Sequence, residues 1–335
     1  MQSIGHDRRE FIAKSFSLAG AASLASFGVR NAAAQAPSAP RPIRRSERYD
    51  DSFITERKPF KWPGNNTLAV WFAPNVEVWQ YDSAFGVGIS PNPTNYVPDV
   101  FNYAWREYGM RVGLWRMAEV FDAAGVKATV ALNSQVCEVF PTAIDEMKKR
   151  GWEFMGHGAT NSNTLAGLPP DQERETIRAV LKTIEQATGK RPRGWLGPGL
   201  TETWDTPDLL KEEGYDYVAD WVLDDQPVWL RTATTPIVNV PYTQECNDVA
   251  MMLIQHHKAS EYYDRAIDQF EQIYDDAADS ARIMALVLHP YIMGAPHRLK
   301  YFRRIFETIR KKSDVAFMTG EQIFDWYLSV GPKPP

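Results

Sequence analysis

The feature that most constrains the fold is an alternation of short apolar runs with longer amphipathic runs, beginning at Leu68. Two of the apolar runs, LAVWFA and IMALVL, lack charged residues, as is typical of strands covered on both faces. Repeated strand–helix units imply right-handed crossovers and a largely parallel sheet. Seven or eight units predict an α/β fold that closes into a (β/α)7–8 barrel. The predicted strands are Leu68–Ala73, Lys127–Leu132, Glu153–Gly156, Arg193–Leu196, Tyr217–Trp221, Ile237–Val240, Ile283–Leu288 and Val315–Met318.

Helical segments lie between most of these strands, and several begin at a proline or end at a glycine. Residues 78–107 interrupt the alternation with glycines, prolines and many aromatic residues. Because long loops in compact domains are usually functional, we expect this segment to cover the site. The predicted helices are Val112–Ala124, Pro141–Arg150, Pro170–Thr188, Pro207–Glu213, Tyr262–Ala278, Leu299–Lys312 and Glu321–Val330.

The first 36 residues resemble a secretion signal. Arg8 and Arg9 form a twin-arginine pair, a moderately apolar stretch follows, and Ala34-Gln35-Ala36 is a small-residue cleavage pattern. The apolar stretch is too short for stable membrane insertion. We therefore expect a twin-arginine export signal over 1–36, a leader over 37–59 and the barrel over 60–331, in a periplasmic protein.

Charge and cysteine content exclude other classes. The 335 residues carry a formal net charge of −5 and show no basic stripe, so a nucleic-acid partner is not expected. The two cysteines, Cys137 and Cys246, do not make a disulfide framework, and the sequence leaves open whether both are free.

Polar side chains collect where the predicted strands end. Asn75 and Glu77 follow the first strand, His157 and Asn161 follow the third, and His289 follows the seventh. In a parallel barrel the carboxyl ends of the strands meet at one mouth, where active sites are built. The sequence therefore predicts an enzyme whose site contains these five residues.

The order of these motifs resembles the polysaccharide deacetylase (NodB homology) superfamily over roughly residues 60–330. That resemblance implies a distorted barrel and hydrolysis of N-acetyl groups or of other non-peptide carbon–nitrogen bonds. The matching motifs are Asn75-Val76-Glu77, His157-Gly158-Ala159-Thr160-Asn161, Gly194-Trp195-Leu196-Gly197-Pro198-Gly199 and Leu288-His289-Pro290.

Two motif positions depart from the family pattern. Asn75 stands where the family has an aspartate base, and an amide does not titrate in the useful range. Asn161 stands where the family has a second metal-binding histidine. Only Glu77 and His157 remain as strong donors beside Asn161, whereas catalytic zinc usually has three. The resemblance thus leaves the cofactor open between a weakly held, zinc-like divalent metal on these three residues and none.

The pattern is closer to the branch of PuuE-type allantoinases, which is reported to work without a tightly bound metal. That branch has Asn-x-Glu and His-Gly motifs and an Asp-Asp-x-Pro-x-Trp segment. The last resembles Asp224-Asp225-Gln226-Pro227-Val228-Trp229.

The hypothesis that follows gives each residue a role. Glu77 and His157 orient a water or a weakly held ion; without metal, Glu77 is the base, and burial is expected to raise its pKa. His289 is the acid that protonates the leaving nitrogen. Substrate-binding roles are expected for Asn75, Asn161, Trp195, Gly197, Asp224, Asp225 and Trp229.

Three functions remain open on the sequence alone. The first is hydrolysis of a small linear or cyclic amide or ureide. The second is metal-dependent carbohydrate N-deacetylation, and the third is a non-catalytic barrel that binds a saccharide or small molecule. The resemblance also suggests a homo-oligomer, because allantoinase-like relatives assemble.

Overall fold

Nine strands form one curled sheet in the described part of the chain. The structure, a computed structural model, describes residues 45–89 and 96–334. The fold below is that of the compact unit that begins at Ser46. The predicted export signal, 1–36, and residues 37–44 of the predicted leader lie outside the described residues.

The sheet confirms the predicted fold class. Along its order, seven neighbouring strands, from β7 to β8, are parallel to one another. Its order is β6-β7-β5-β4-β3-β2-β1-β8, and β9 pairs with the first half of β1. The one antiparallel strand, β6, pairs with β7 and was not predicted from the sequence. The strands are β1 Leu68–Val76, β2 Thr129–Leu132, β3 Glu153–Gly156, β4 Gly194–Trp195, β5 Tyr217–Val218, β6 Val228–Leu230, β7 Ile237–Asn239, β8 Arg282–Leu288 and β9 Val315–Phe317.

Helices follow most strands, close to the predicted bounds. One helix, α1, lies inside the segment that was expected to be a loop, and a π-helical turn, Gly109–Gly113, joins it to α2. The helices are α1 Val100–Tyr108, α2 Leu114–Ala124, α3 Val136–Val139, α4 Pro141–Lys149, α5 Pro170–Thr188, α6 Thr206–Glu212, α7 Ala259–Asp276, α8 Pro290–Met293, α9 Pro296–Ile309 and α10 Gly320–Val330. No described helix is long and apolar enough to cross a membrane.

Alternate residues of each strand enter two different apolar cores. In β1, Phe72 belongs to the core between sheet and helices, where it packs against Phe121, Phe302 and Phe306. Its neighbour Trp71 belongs to the inner core of the barrel. This two-residue period decides which polar residues beyond each strand end can enter the barrel mouth.

The last helix, α10, closes the amino end of the barrel. The backbone N–H of Gly320 donates to Thr129 Oγ1 at 2.8 Å, and that of Glu321 donates to Glu153 Oε2 at 3.0 Å. The hydroxyl of Tyr217 also donates to Glu153, at 2.5 Å. Because Thr129, Glu153 and Tyr217 each begin a strand, these bonds seal that end and leave the carboxyl end as the mouth.

Both cysteines are free thiols in the described chain. Burial raises the pKa of Cys137 to about 11 and that of Cys246 to about 12. The two thiols are therefore protonated and weakly reactive at neutral pH.

Candidate active site

Three strand ends bring Glu77, His157 and His289 together. Each residue directly follows a parallel strand: β1 ends at Val76, β3 at Gly156 and β8 at Leu288. Glu77 Oε1 lies 3.4 Å from Nε2 of His157 and 3.5 Å from Nε2 of His289. The three residues predicted to be catalytic therefore share one small volume, with one carboxylate oxygen facing both imidazoles.

The cluster is almost closed to solvent. The side chains of Glu77 and His157 are each 3% exposed, and that of His289 is 8% exposed. Burial alone would raise the pKa of Glu77, but the nearby His289 and His157 outweigh it and hold the pKa well below its usual range. The expected upward shift was therefore wrong, since the imidazoles were not counted against burial. Glu77 is ionised.

Asp248, which was not predicted, orients His289. Its Oδ1 lies 2.6 Å from Nδ1 of His289, and its Oδ2 accepts the backbone N–H of His289 at 2.8 Å. Burial would lower the pKa of His289, but the charges of Asp248 and Glu77 raise it to about 10. His289 is therefore an imidazolium at neutral pH.

An isolated β-bridge positions Asp248 beside His289. Asn247 pairs in parallel with Val287 of β8, so the next residue, Asp248, lies beside the end of that strand. In the sequence the only signal was a polar Asn-Asp pair before the apolar run Val249–Ile254. Nothing in that pattern indicates which strand it accompanies.

The ring of His157 is fixed from its other side. Nδ1 lies 2.6 Å from the carbonyl oxygen of Leu196, and because a carbonyl only accepts, Nδ1 carries a hydrogen. His157 Nε2 and Glu77 Oε2 are both buried without a hydrogen-bond partner among the described residues. Two adjacent unsatisfied atoms are the feature expected where a water or substrate binds.

The two predicted asparagines enter hydrogen bonds at the mouth. Asn75 Nδ2 donates to the hydroxyl of Tyr242 and to the carbonyl of Ala73, both at 3.1 Å. Asn161 Oδ1 accepts from Nδ2 of Asn133 at 3.1 Å. The amide hydrogens of Asn75 and the amide oxygen of Asn161 are thus engaged by protein groups.

The donor set does not fit a catalytic metal. Asn161 Oδ1, the third predicted ligand, is a neutral amide oxygen already bonded to Asn133. Among residues 45–89 and 96–334, no group of three or more His, Cys, Asp or Glu side chains is arranged to hold a metal ion. Glu77 and His157 remain as two strong donors where catalytic zinc usually has three.

Trp195 and Gly197 were both predicted to bind substrate, and the structure places each of them against protein groups. Trp195 belongs to the outer core, where it packs edge-on against Tyr215 at 5.4 Å between ring centroids, while the next residue, Leu196, points inward. The backbone N–H of Gly197 donates to Asp220 Oδ1 at 2.7 Å. The alternation of side chains along a strand explains why Trp195 points outward. The buried carboxyl group of Asp220 explains why the Gly197 N–H already has an acceptor.

The segment Asp224–Trp229, which was predicted to bind substrate, lies at the opposite end of the barrel from the three catalytic candidates. The carbonyl of Asp225 accepts from Ile283 N–H at 2.8 Å, and Ile283 precedes His289 by six strand residues, roughly 20 Å. Asp224 forms an ion pair with Arg57 at 2.5 Å. The indole of Trp229 donates to the carbonyl of Pro332, beyond α10.

Two further carboxyl groups, those of Asp220 and Glu202, lie near the end of β5. Asp220 Oδ2 is buried without a hydrogen-bond partner, and burial together with Glu202 raises the pKa of Asp220 well above its usual value. Burial also raises the pKa of Glu202, to about 7. Both burial and the neighbouring Glu202 therefore favour the protonated form of Asp220. Its strand-end position was noticeable in the sequence, but its pairing with Glu202 was not.

The segment 78–107, hereafter the cap segment, packs onto the turn after β8; residues 90–95 lie outside the described residues. The guanidinium of Arg106 in α1 lies 4.2 Å from the ring centroid of Trp79 and 5.3 Å from that of Tyr291. The ring of Tyr291 lies 5.5 Å from that of His289. The described part of the cap segment is therefore next to the buried cluster.

Known proteins match this chain both in sequence and in fold. Residues 101–218 match the family model for polysaccharide deacetylase. A putative polysaccharide deacetylase of Schizosaccharomyces pombe is 28% identical over 301 residues, covering 81% of this chain and 93% of that protein. A peptidoglycan deacetylase of Helicobacter pylori is 24% identical, covering 66% of this chain and 86% of that protein.

Two solved structures share the architecture. The PuuE allantoinase superposes with a TM-score of 0.78 at 24% identity, covering 85% of this chain and 98% of that one. A probable polysaccharide deacetylase of Pseudomonas aeruginosa superposes with a TM-score of 0.73 at 25% identity, covering 81% and 94%.

The barrel and the family match define a hydrolase that acts on carbon–nitrogen bonds other than peptide bonds. Within that class, residues 101–218 match a polysaccharide deacetylase domain, and the chain is similar to proteins named polysaccharide or peptidoglycan deacetylase.

Proposed function

We propose that the protein hydrolyses the carbon–nitrogen bond of a small linear or cyclic amide or ureide. The observation that carries this proposal is the buried cluster in which Glu77 faces both His157 and His289 within 3.5 Å. The cap segment beside it favours a compact substrate over a polymer, because the reacting side chains are almost without solvent exposure.

The first step is activation of a water molecule. Glu77 Oε2 and, with the hydrogen on Nδ1, His157 Nε2 are acceptors that have no partner among the described residues. A water bound there donates one hydrogen to each and directs its lone pair at the amide carbon. The lowered pKa of Glu77 makes the carboxylate a weak base by itself, so the two acceptors share this task.

The second step is stabilisation of the oxyanion and protonation of the leaving group. The Tyr242 hydroxyl accepts from Asn75, so its own hydrogen is available to an oxyanion. Burial raises the pKa of Tyr242 well above its usual value and keeps that hydrogen in place. The imidazolium of His289 then gives its Nε2 proton to the departing nitrogen, and the proton taken from water later restores it.

Two alanine variants test this assignment. Glu77→Ala and His289→Ala should each lower kcat/KM at least a hundredfold on any amide that the wild type cleaves. Asp224→Ala at the far end of the barrel is the matched control and should retain turnover at temperatures where it is folded. Near-normal turnover in both site variants would contradict the proposal.

A second candidate is carbohydrate N-deacetylation, which the printed names of the relatives favour. N-acetylglucosamine oligomers and cyclic amides assayed side by side, with and without a chelator, separate the two. Acetate release that is lost on chelation and restored by stoichiometric zinc supports the deacetylase. Failure to cleave either set while binding is retained supports a non-catalytic binding protein.

The periplasmic location and the homo-oligomer are also proposals, and each has its own test. Replacing Arg8 and Arg9 by lysine should trap the full chain inside a bacterial host if 1–36 is a twin-arginine signal. Light scattering of the purified protein measures its oligomeric state.

A further inference from the structure

Arg106 is a buried cation beside the catalytic cluster, and the proposed mechanism does not use it. Its side chain lies between two aromatic residues that come shortly after catalytic candidates in the chain. Trp79 is two residues after Glu77, and Tyr291 is two residues after His289. The ring of Phe85 lies 4.4 Å from the same guanidinium. Arg106 itself is 4% exposed.

This guanidinium has unused hydrogen-bond donors. Nη1 donates to the carbonyl of Asn102 at 3.1 Å, and Nη2 donates to the carbonyl of Val87. Nε of Arg106 is buried and has no partner in the described part of the chain, and a guanidinium has more N–H groups than these two bonds use. The indole Nε1 of Trp79, whose ring lies against Arg106, is likewise buried without a partner.

Among the described residues, the positive charge of Arg106 also lacks a direct counter-ion. No carboxylate of the described residues lies within ion-pair distance of Arg106. Burial lowers the pKa of Arg106, and the negative charges of Glu77 and Asp99 oppose that shift. A buried charge without a paired anion is costly, and a ligand carboxylate would supply the missing anion.

We propose that Arg106 binds a carboxylate of the substrate, so that the enzyme acts on small amides carrying an acidic group besides the scissile carbon–nitrogen bond. The proposal rests on the proposed amide hydrolysis and names its substrate class. A guanidinium edge matches a carboxylate in bidentate fashion, and the Trp79 indole is a further donor beside it.

A purely structural clamp would explain less. Stacking on Trp79, Phe85 and Tyr291 accounts for the position of the guanidinium between the cap segment and α8. It does not account for two buried N–H donors without acceptors at the same place. An incoming carboxylate satisfies both the charge and the donors.

The test compares matched acids and alcohols. Acetamido and ureido acids with two to four carbons between the nitrogen and the carboxylate are assayed beside the analogues in which a hydroxymethyl group replaces the carboxylate. We expect the wild type to prefer the acids at least tenfold in kcat/KM, mainly through KM. Arg106→Gln should abolish this preference while retaining turnover of the alcohols.

Arg111→Gln is the matched charge control. Arg111 is exposed in the π-helical turn after α1, so its loss changes the local net charge equally and should leave the acid preference intact. A wild-type acid-to-alcohol ratio near one overturns the inference, whether or not Arg106→Gln folds. An unchanged ratio in folded Arg106→Gln also overturns it.

Binding separates this inference from the proposed function. If the wild type cleaves none of these amides, amide hydrolysis of this class fails, and calorimetry of the same pairs decides the role of Arg106. Acid-selective binding that Arg106→Gln removes supports the carboxylate site. Absence of such selectivity in the wild type rejects it.

Discussion

Asp248 binds His289 through both of its carboxylate oxygens, one to the ring Nδ1 at 2.6 Å and one to the backbone N–H at 2.8 Å. The first bond sets the charge and orientation of the ring, and the second sets the position of the residue. An aspartate that is fully buried and doubly bonded is a rigid support for an acid catalyst.

Asp248→Asn should therefore lower kcat about a hundredfold. The amide can retain the backbone hydrogen bond but removes the charge that helps to raise the pKa of His289 to about 10. The imidazolium of the variant should lose its proton at lower pH than that of the wild type. NMR titration of the His289 ring against pH checks this, and identical titration curves would contradict the assignment.

Tyr242→Phe tests the oxyanion donor. We expect kcat to fall ten- to a hundredfold with KM little changed, since the hydroxyl acts on charge that develops in the transition state. Tyr262→Phe is the control, because that hydroxyl is also buried but donates to backbone carbonyls beside β8. Equal losses of kcat in both variants would assign the Tyr242 effect to structure.

Asp224→Asn should lower stability and leave catalysis unchanged. The variant weakens the ion pair with Arg57, whose partners are 10% and 18% exposed, and we expect a loss of about 1–3 kcal/mol in the free energy of unfolding. Urea denaturation measures that loss, and kcat/KM below the melting temperature should match the wild type. A tenfold drop in kcat/KM would return this segment to the substrate site.

Glu153→Gln should flatten the dependence of stability on pH. Burial raises the pKa of Glu153 to about 7 in the folded state, from 4.5 as its ordinary value. Because the folded state then binds the proton more tightly, the stabilisation is fully present below pH 4.5 and is lost as the pH rises through 7. By linkage this loss is about 3 kcal/mol.

Glutamine can keep the hydrogen bonds to Tyr217 and to the Glu321 N–H without a titrating group. Urea denaturation at pH 5 and pH 8 should therefore show a smaller difference for Glu153→Gln than for the wild type. Glu138→Gln, at an exposed site, is the control and should behave as the wild type does. If the free energy of unfolding of Glu153→Gln depends on pH as strongly as that of the wild type, Glu153 is not the group responsible.

Much of the site could be predicted because it follows local rules. The predicted strands that end at Ala73, Gly156 and Leu288 are parallel in the structure, and parallel strands present their carboxyl ends together. A period of two then aims Glu77 into the barrel. The same period, applied to Trp195 and Leu196, would have placed the tryptophan in the outer core.

The sequence by itself determined the strand–helix alternation and which polar residues stand at strand ends, because periodicity and burial act over a few neighbouring residues. Only the tertiary structure decided that Asp248 supports His289, that Asp224 pairs with Arg57 at the opposite end, and that Arg106 is buried beside the cluster. These are contacts between distant segments, and their geometry depends on the curl of the whole sheet. The charge of Glu77 is the clearest case, since its sign of pKa shift is set by two imidazoles that lie 80 and 212 positions further along the chain.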